Sequence, residues 1–492
     1  MNNTILFESV NNNGYLYDSQ KSTIVYSHPI LIRIYELYEK GFCKEQVVGE
    51  LASEEYSDSE INYYVAKYDF LLENGFGGKV NWEEKLSGVI SARVVESQLS
   101  NLDNLVFQVI NDCNLQCKYC CYGELYENPP VSKKKPMTFD LAQTVIDYMS
   151  DYWNSKLNYS QENIIGIGFY GGEPLLNFEL IKKVVSYISN LRLKTTPKFV
   201  YNMTTNGMLL DRHMDFMADH NFSLLISLDG NKLHDYLRVD KNNRSSFDRV
   251  FANIKSLQHE YPDYFDKKVR FNSLLNSKSS VMGIYDFIFN EFGKVPMIGP
   301  LSVSGLKADK IDEFKSIYKS YQEDVEMAKV FKSTSVKYKN IGFFFYYHLK
   351  NSYKQYCDLL LNDGKKDMKI PTGTCIPFFK KMFVTVDGDI LACERIGLNH
   401  VLGKVTDCVS LDFEKIANIY NDYYSFIKKQ CSNCFRADDC PECFFQFPFD
   451  KEGPVCSSSF DEDAQKKYLG DMISVLENDP SCFDFVNNFV FA

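Results

Sequence analysis

The chain has 492 residues, 45% hydrophobic and 24% charged, with a formal net charge of −11, a length that suits two or three domains with sizeable cores. The acidity argues against a nucleic-acid partner, which would need a basic footprint. No run of about 18 apolar residues occurs, so no membrane helix is expected, and the start "MNNTILFESVNNNG" lacks the basic-then-apolar pattern of a signal peptide.

A cytoplasmic location follows as the expectation, with fifteen cysteines read as reduced thiols that serve metals rather than disulfides. Residues 1–78 read as a small module. "NNNG" is a turn before "YLYD", and "STIVY" is a second short strand. "PILIRIYELYEKG" opens with Pro and closes with Gly, as helices do. "KEQVVGELA" and "DSEINYYVAKYDFLLENG", the latter capped by Ser57, supply two more helices. A hairpin with three helices suggests a winged helix-turn-helix shape. Its 15 Asp and Glu against 8 Lys and Arg over residues 1–100 speak against DNA. Residues 79–103 read as a linker.

From residue 104 to 335 strand-then-helix units repeat. Strands are expected at "LVFQVI", "IIGIGFY", "FVYNMTTN", "SLLISLD", "VRFNSLL" and "MIGPLSVS", with helices beginning near Thr138, Asn177, Asp211, Ser245, Ser279 and Asp309. Six such units favour an α/β fold, a partial (β/α)6 barrel of TIM type with its chemistry at the C-terminal strand ends. Residues 336–374 read as a bridging segment, 375–460 as a separate cysteine-rich domain, and 461–492 as a closing helix with an aromatic tail.

The first strand delivers "CNLQCKYCCYGE". Cys113, Cys117 and Cys120 are spaced C-x3-C-x2-C, which suits three irons of a [4Fe–4S] cube with one iron left open; a zinc knuckle is the alternative. Cys121 could replace Cys120, though spacing makes it a core or neighbouring thiol. This loop, with Tyr119 before its last cysteine, resembles that of the radical SAM superfamily. "GGEP" (Gly171 to Pro174), "TTNG" with Thr205 and Asn206, and "SLDG" with Ser227 and Asp229, followed by "HDYLRV", are similar to its later motifs. The resemblance implies that S-adenosylmethionine (SAM) binds here. Its amino group would go to the GGEP turn, and its carboxylate to Ser227 and Arg238. The chemistry agrees: an amine needs an acceptor such as Glu173, a carboxylate needs donors, and Gly171 and Gly172 let the backbone approach closely.

The later cysteines run C-x12-G-x4-C (Cys375, Cys393), C-x2-C-x5-C-x2-C (Cys431, Cys434, Cys440, Cys443), then Cys456. They resemble the SPASM domain of peptide-modifying relatives, with x2 where that family has x3 before Cys443. The resemblance implies three [4Fe–4S] clusters in all. Cys431, Cys434, Cys440 and Cys456 would hold one auxiliary cluster; Cys375, Cys393 and Cys443 would hold another. Its fourth position is Cys357, Cys408, a substrate thiol or open. Two structural zinc sites, one completed by His400, are the alternative. Cys43 and Cys482 read as ordinary buried thiols.

In peptide-modifying relatives a similar N-terminal module recognises a leader peptide by strand addition. Here the edge near "STIVY" and the aromatics Tyr63, Tyr64, Tyr68 and Leu71 would serve, or those side chains are simply core. The leading expectation is a maturase of a ribosomally made precursor peptide. A 5′-deoxyadenosyl radical would abstract a hydrogen, a thioether or carbon–carbon cross-link would form, and a flavodoxin- or ferredoxin-type donor would supply electrons. Sulfatase-maturase-type oxidation of Cys or Ser to formylglycine is the second reading. That family carries an extra cysteine about where Lys381 stands. An iron–sulfur redox regulator is the third. Glu394, beside Cys393, matches an acid that resembles the substrate base in sulfatase maturases; its alternative is an ion pair with Arg395 or a nearby lysine.

Overall fold

The computed structural model describes residues 4–19, 23–77, 81–127, 134–154, 164–194, 197–303, 305–320, 324, 369–437, 440, 442–448, 453–456 and 458–478. Cys357, Cys482, the aromatic tail and nearly all of the bridging segment lie outside them.

The N-terminal module begins with a strand that the sequence reading omitted. β1 (Thr4–Glu8), β2 (Gly14–Asp18) and β3 (Thr23–Tyr26) form an antiparallel sheet in the order β1-β2-β3. Three helices follow: α1 (Pro29–Glu39), α2 (Lys44–Ala52) and α3 (Asp58–Glu73). Ser57 and Glu60 close a reciprocal capping box at the start of α3, satisfying backbone donors that the helix leaves unpaired. Leu16, Ile30, Leu31, Ile34, Val47 and Ile61 form the shared core. Cys43, expected inside, is exposed at the N-cap of α2.

The segment expected to be a linker is folded. α4 (Trp82–Lys85) and α5 (Ala92–Ser100) precede the first strand of the main sheet. Trp82 and Leu86 pack with Ala437, and the Asn421 side chain bonds both backbone groups of Ile90. The cause is apolar: Val95 and Leu99 are buried in the main core, and helices that bury a face are fixed by it.

The six expected parallel strands are present as β4 (Asn104–Ile110), β5 (Ile164–Gly171), β6 (Lys198–Thr205), β7 (Ser223–Ser227), β8 (Val269–Leu275) and β9 (Met297–Pro300). They stand side by side in chain order. Between and after them run α6 (Phe139–Trp153), α7 (Phe178–Ser189), α8 (Met214–Asp219), α9 (Phe247–Glu260), α10 (Pro262–Lys268), α11 (Val281–Phe292) and α12 (Ile311–Ile317). Thr138 caps α6 and Ser280 caps α11. Leu105, Phe107, Val109, Ile165, Ile167 and Phe169 are buried in the main core. The alternate positions of β5 are Gly166, Gly168 and Tyr170.

The first strands of the cysteine-rich segment continue the main sheet. β10 (Lys381–Val384) pairs parallel with β4, and β11 (Asp389–Leu391), β12 (Gly403–Val405) and β13 (Val409–Leu411) continue antiparallel, giving one ten-stranded mixed sheet. Met382, Val384 and Ile390 join the same core as β4. α13 (Phe413–Cys431) follows. α14 (Glu462–Asn478) returns to the N-terminal module, where Leu469 packs with Phe7 and Tyr15, and Glu477 accepts a 2.6 Å bond from the Tyr15 hydroxyl. No helix among the described residues is long and apolar enough to cross a membrane.

Candidate functional site

The end of β4 sets the first cysteine loop. Ile110 is followed by Asp112, whose carboxylate accepts the Cys113 N–H at 2.8 Å and pairs with Lys134 (2.8 Å) and Lys241 (3.2 Å). Cys117 and Cys120, like Glu173, lie near enough that their charges would raise the Cys113 pKa. Burial, the larger cause, pushes that thiol to about 12. The Cys113 sulfur already receives the Leu115 N–H (3.4 Å) and the Asn206 side chain (3.5 Å). Buried thiols supported by N–H donors fit an iron–sulfur cluster, since metal binding deprotonates them and hydrogen bonds to sulfur tune the cluster. Cys121 is exposed, with its thiol against Cys120, rather than in the core.

A Cβ on Gly171 would collide with the Ile110 carbonyl, and one on Gly172 with the Asp112 carbonyl. The close approach is therefore to the cysteine loop's own backbone. Glu173 is fully buried. Its Oε1 accepts from the Thr205 hydroxyl (2.7 Å) and the Leu175 N–H (3.1 Å), and its Oε2 from the Asn206 N–H (2.7 Å). Burial outweighs these donors and raises its pKa. A carboxylate has about four acceptor positions, so little more than one is left for an ammonium. Ser227 ends β7, half-buried.

Arg238 is enclosed. Its Nη1 donates to the Tyr119 hydroxyl (3.1 Å), which donates to Asp229 (2.6 Å). Asp235, which the sequence reading passed over inside "HDYLRV", is fully buried 3.5 Å from Arg238 Nε. Burial pushes the Asp235 carboxyl up to about 8, against the pull of Arg238.

The later cysteines gather in two places. Cys431, Cys434, Cys440 and Cys456 line one pocket with Ala437 and Phe447. Burial pushes the Cys431 thiol to about 12, and the other three add to it. Phe460 N–H bonds the Cys434 sulfur at 3.4 Å. Cys375, Cys393 and Cys443 each stand near enough to Tyr420 for their charges to raise its pKa, and Thr374, whose hydroxyl accepts the Phe444 N–H (2.8 Å), ties the segments of Cys375 and Cys443. His400 is absorbed by aromatics, 4.6 Å from the Phe445 ring. Cys408 sits in the turn after β12, whose end pairs with Gly388 at the start of β11. Cys393 follows the other end of β11.

Glu394 pairs with Lys381 (2.7 Å), not with Arg395. Its side chain is 11% exposed, and its Oε2 is buried without a hydrogen-bond partner. Tyr170 is raised by burial first, then by the charges of Cys121, Glu394 and Cys120; Tyr122, 42% exposed, neighbours the same charges. The two tyrosines thus occupy space shared by the first cysteine loop and Glu394.

Comparison with known proteins gives three findings. The family described as the Radical SAM superfamily matches residues 107–269. A cysteine-type anaerobic sulfatase-maturating enzyme of Clostridium novyi is 27% identical over 217 residues, 42% of this chain and 53% of that protein. The radical SAM cyclopropyl synthase TigE of Paramaledivibacter caminithermalis is 25% identical over 283 residues, 56% of this chain and 55% of that one. The chain thus spans about half the length of these curated relatives. The solved structure of anSMEcpe with bound AdoMet shares the fold with a TM-score of 0.51 at 18% identity, covering 79% of this chain and 96% of that one.

Proposed function

We propose that this chain, an enzyme that belongs through residues 107–269 to the radical SAM superfamily, is a maturase that cross-links a ribosomally made peptide. It is related to anaerobic sulfatase-maturating enzymes and to a radical SAM cyclopropyl synthase. Cys113, Cys117 and Cys120 would hold the SAM-binding [4Fe–4S] cluster. The two later cysteine sets would hold auxiliary clusters, the second keeping one position open to a substrate thiol or other ligand. When bound, cluster and SAM supply a 5′-deoxyadenosyl radical that removes a hydrogen atom, given an electron from a flavodoxin or ferredoxin.

Joining two substrate atoms removes two hydrogens, one as an atom and one as a proton plus an electron, which an auxiliary cluster would accept. Glu394 would take the proton; what supports this is that one oxygen is held by Lys381 while the other is buried and unpartnered. Tyr122 and Tyr170 shape the space beside it. Ser227 and the remaining edge of Arg238 would face the SAM carboxylate.

The observation that carries the peptide reading is the N-terminal module. Among the described residues β3 is an edge strand with no neighbour beyond it. Tyr26 on that edge and Tyr63 on α3 are 63% and 62% exposed. An open strand beside exposed aromatics suits a leader peptide added as a fourth strand. Tyr68, by contrast, is core. The second reading, formylglycine formation, is favoured by the sulfatase-maturating relatives, although Lys381 occupies the place of that family's extra cysteine.

The deciding experiment co-expresses the enzyme with short reading frames beside its gene and weighs the products. Loss of two hydrogens per cross-link in a leader-bearing peptide is expected. Formylglycine in a sulfatase-motif peptide, with the neighbouring peptides unchanged, would establish the second reading instead.

A further inference from the structure

The first cysteine loop has little regular structure of its own, yet its backbone is braced. Gln116 N–H bonds the Val239 carbonyl (2.7 Å), Lys118 N–H bonds the Leu237 carbonyl (2.9 Å), and Leu115 bridges to Asp240 in antiparallel fashion. Residues 237–240 therefore act as a short strand laid against the loop that carries Cys117. The same segment sends Arg238 inward to the Tyr119 hydroxyl.

Behind that contact the bonds continue to the sheet. Tyr119 donates to Asp229 Oδ2, while Asp229 Oδ1 accepts the Leu274 N–H of β8 at 2.8 Å. The Asp229 N–H donates to Asp235 Oδ1 at 3.0 Å, and Arg238 Nε lies 3.5 Å from that same oxygen. Every member is more than nine-tenths buried: Tyr119 8% exposed, Arg238 5%, Asp229 1% and Asp235 0%. Leu125, Tyr126, Leu237, Leu301 and Phe314 pack with Tyr119 in one apolar cluster.

Two acids and a guanidinium in an apolar surround are costly, and an aliphatic filling of the same volume is often no less stable. Such a group is better explained by geometric specificity than by stability. The geometry it specifies is that of the cysteine loop: Tyr119 lies between Cys117 and Cys120, and each of its neighbours in the chain of bonds is fixed to a different element. Moving Tyr119 would carry Cys120 with it.

We propose that Asp235 and Arg238 are positioning residues for the cysteine loop, acting through Asp229 and Tyr119 to set where the Cys117 and Cys120 thiols stand against the ends of β7 and β8. The assignment depends on superfamily membership alone and not on the peptide substrate. Asp235 orients both Arg238 and the Asp229 backbone; Arg238 and Asp229 together hold the Tyr119 hydroxyl.

The test uses the full chain, reconstituted with iron and sulfide under anaerobic conditions, as wild type, Tyr119→Phe, Asp235→Asn and the double variant. Low-temperature electron paramagnetic resonance of the reduced protein, with and without SAM, reads the first cluster. The auxiliary signals in the same samples report folding. Deoxyadenosine release without any peptide gives the rate. Each single variant should alter the SAM-dependent change of the first signal and slow deoxyadenosine release about tenfold, with auxiliary signals unchanged. The double variant should be no worse than either single one, because Asp235→Asn removes the charge that faces Arg238 and Tyr119→Phe removes the hydroxyl that Arg238 holds, two steps of one chain of contacts. Wild-type signals and rates in both single variants would overturn the proposal, as would losses that multiply in the double variant.

Discussion

At Gly172 one added methyl group would meet the Asp112 carbonyl, and that carbonyl also accepts the Glu173 N–H at 2.9 Å. Backbone cannot step aside as a side-chain end can, so Gly172→Ala should cost about 1–3 kcal/mol in overpacking. Thermal unfolding should register that loss. Gly49, exposed within α2 with nothing within 4 Å of an added Cβ, is the opposite case. Gly49→Ala should stabilise the module by about 0.5–1 kcal/mol, the helix propensity gain. Glu394 is judged by chemistry instead: Glu394→Gln keeps an acceptor for Lys381 but cannot take a proton. That variant should still release deoxyadenosine while cross-linked product falls at least about tenfold, as a typical general base implies. Full product formation would leave Glu394 as Lys381's structural partner. Its cysteine neighbour made Glu394 conspicuous in the sequence. Asp235 was not conspicuous, because its burial depends on a chain of contacts across β7, β8 and the cysteine loop.

At the scale of elements, legibility followed burial. β4 to β8 are buried on their helix-facing side and read as apolar runs bounded by turns. β10 to β13 are three or four residues long, too short for periodicity, so their continuation of the parallel sheet was invisible. β1 was missed for a related reason: its partner β2 alone made a plausible hairpin with β3. α14 could be foreseen as a helix, but not its destination, since Leu469 meets Phe7 across nearly the whole chain. That contact is testable. Leu469 is 4% exposed, and Leu469→Ala should cost about 2–5 kcal/mol of local packing. Hydrogen exchange should quicken in residues 4–18 and 462–478 while β4 to β8 stay protected. Uniform loss of protection across the sheet would mean instead that the module and the main core unfold as one unit.

For the whole molecule, α14 changes how the peptide reading has to be tested. Removing residues 1–78 alone would strip Leu469, Tyr468 and Ile473 of Phe7, Tyr15 and Ile24, exposing an apolar face that invites aggregation. The informative truncation therefore removes residues 1–78 and 462–492 together, keeping α5, which belongs to the main core, and α4, whose Trp82 packs with Ala437. The remaining chain retains all ten strands of the large sheet and every cysteine of the three sets. It should take up iron as the full chain does and release deoxyadenosine in the absence of peptide at a similar rate. Strand addition at β3 supplies main-chain hydrogen bonds that side chains elsewhere cannot replace. The truncated enzyme should accordingly bind a leader-bearing peptide at least about a hundredfold more weakly, by calorimetry or fluorescence anisotropy. Equal affinity in both forms would move leader recognition off β3 and onto the main sheet.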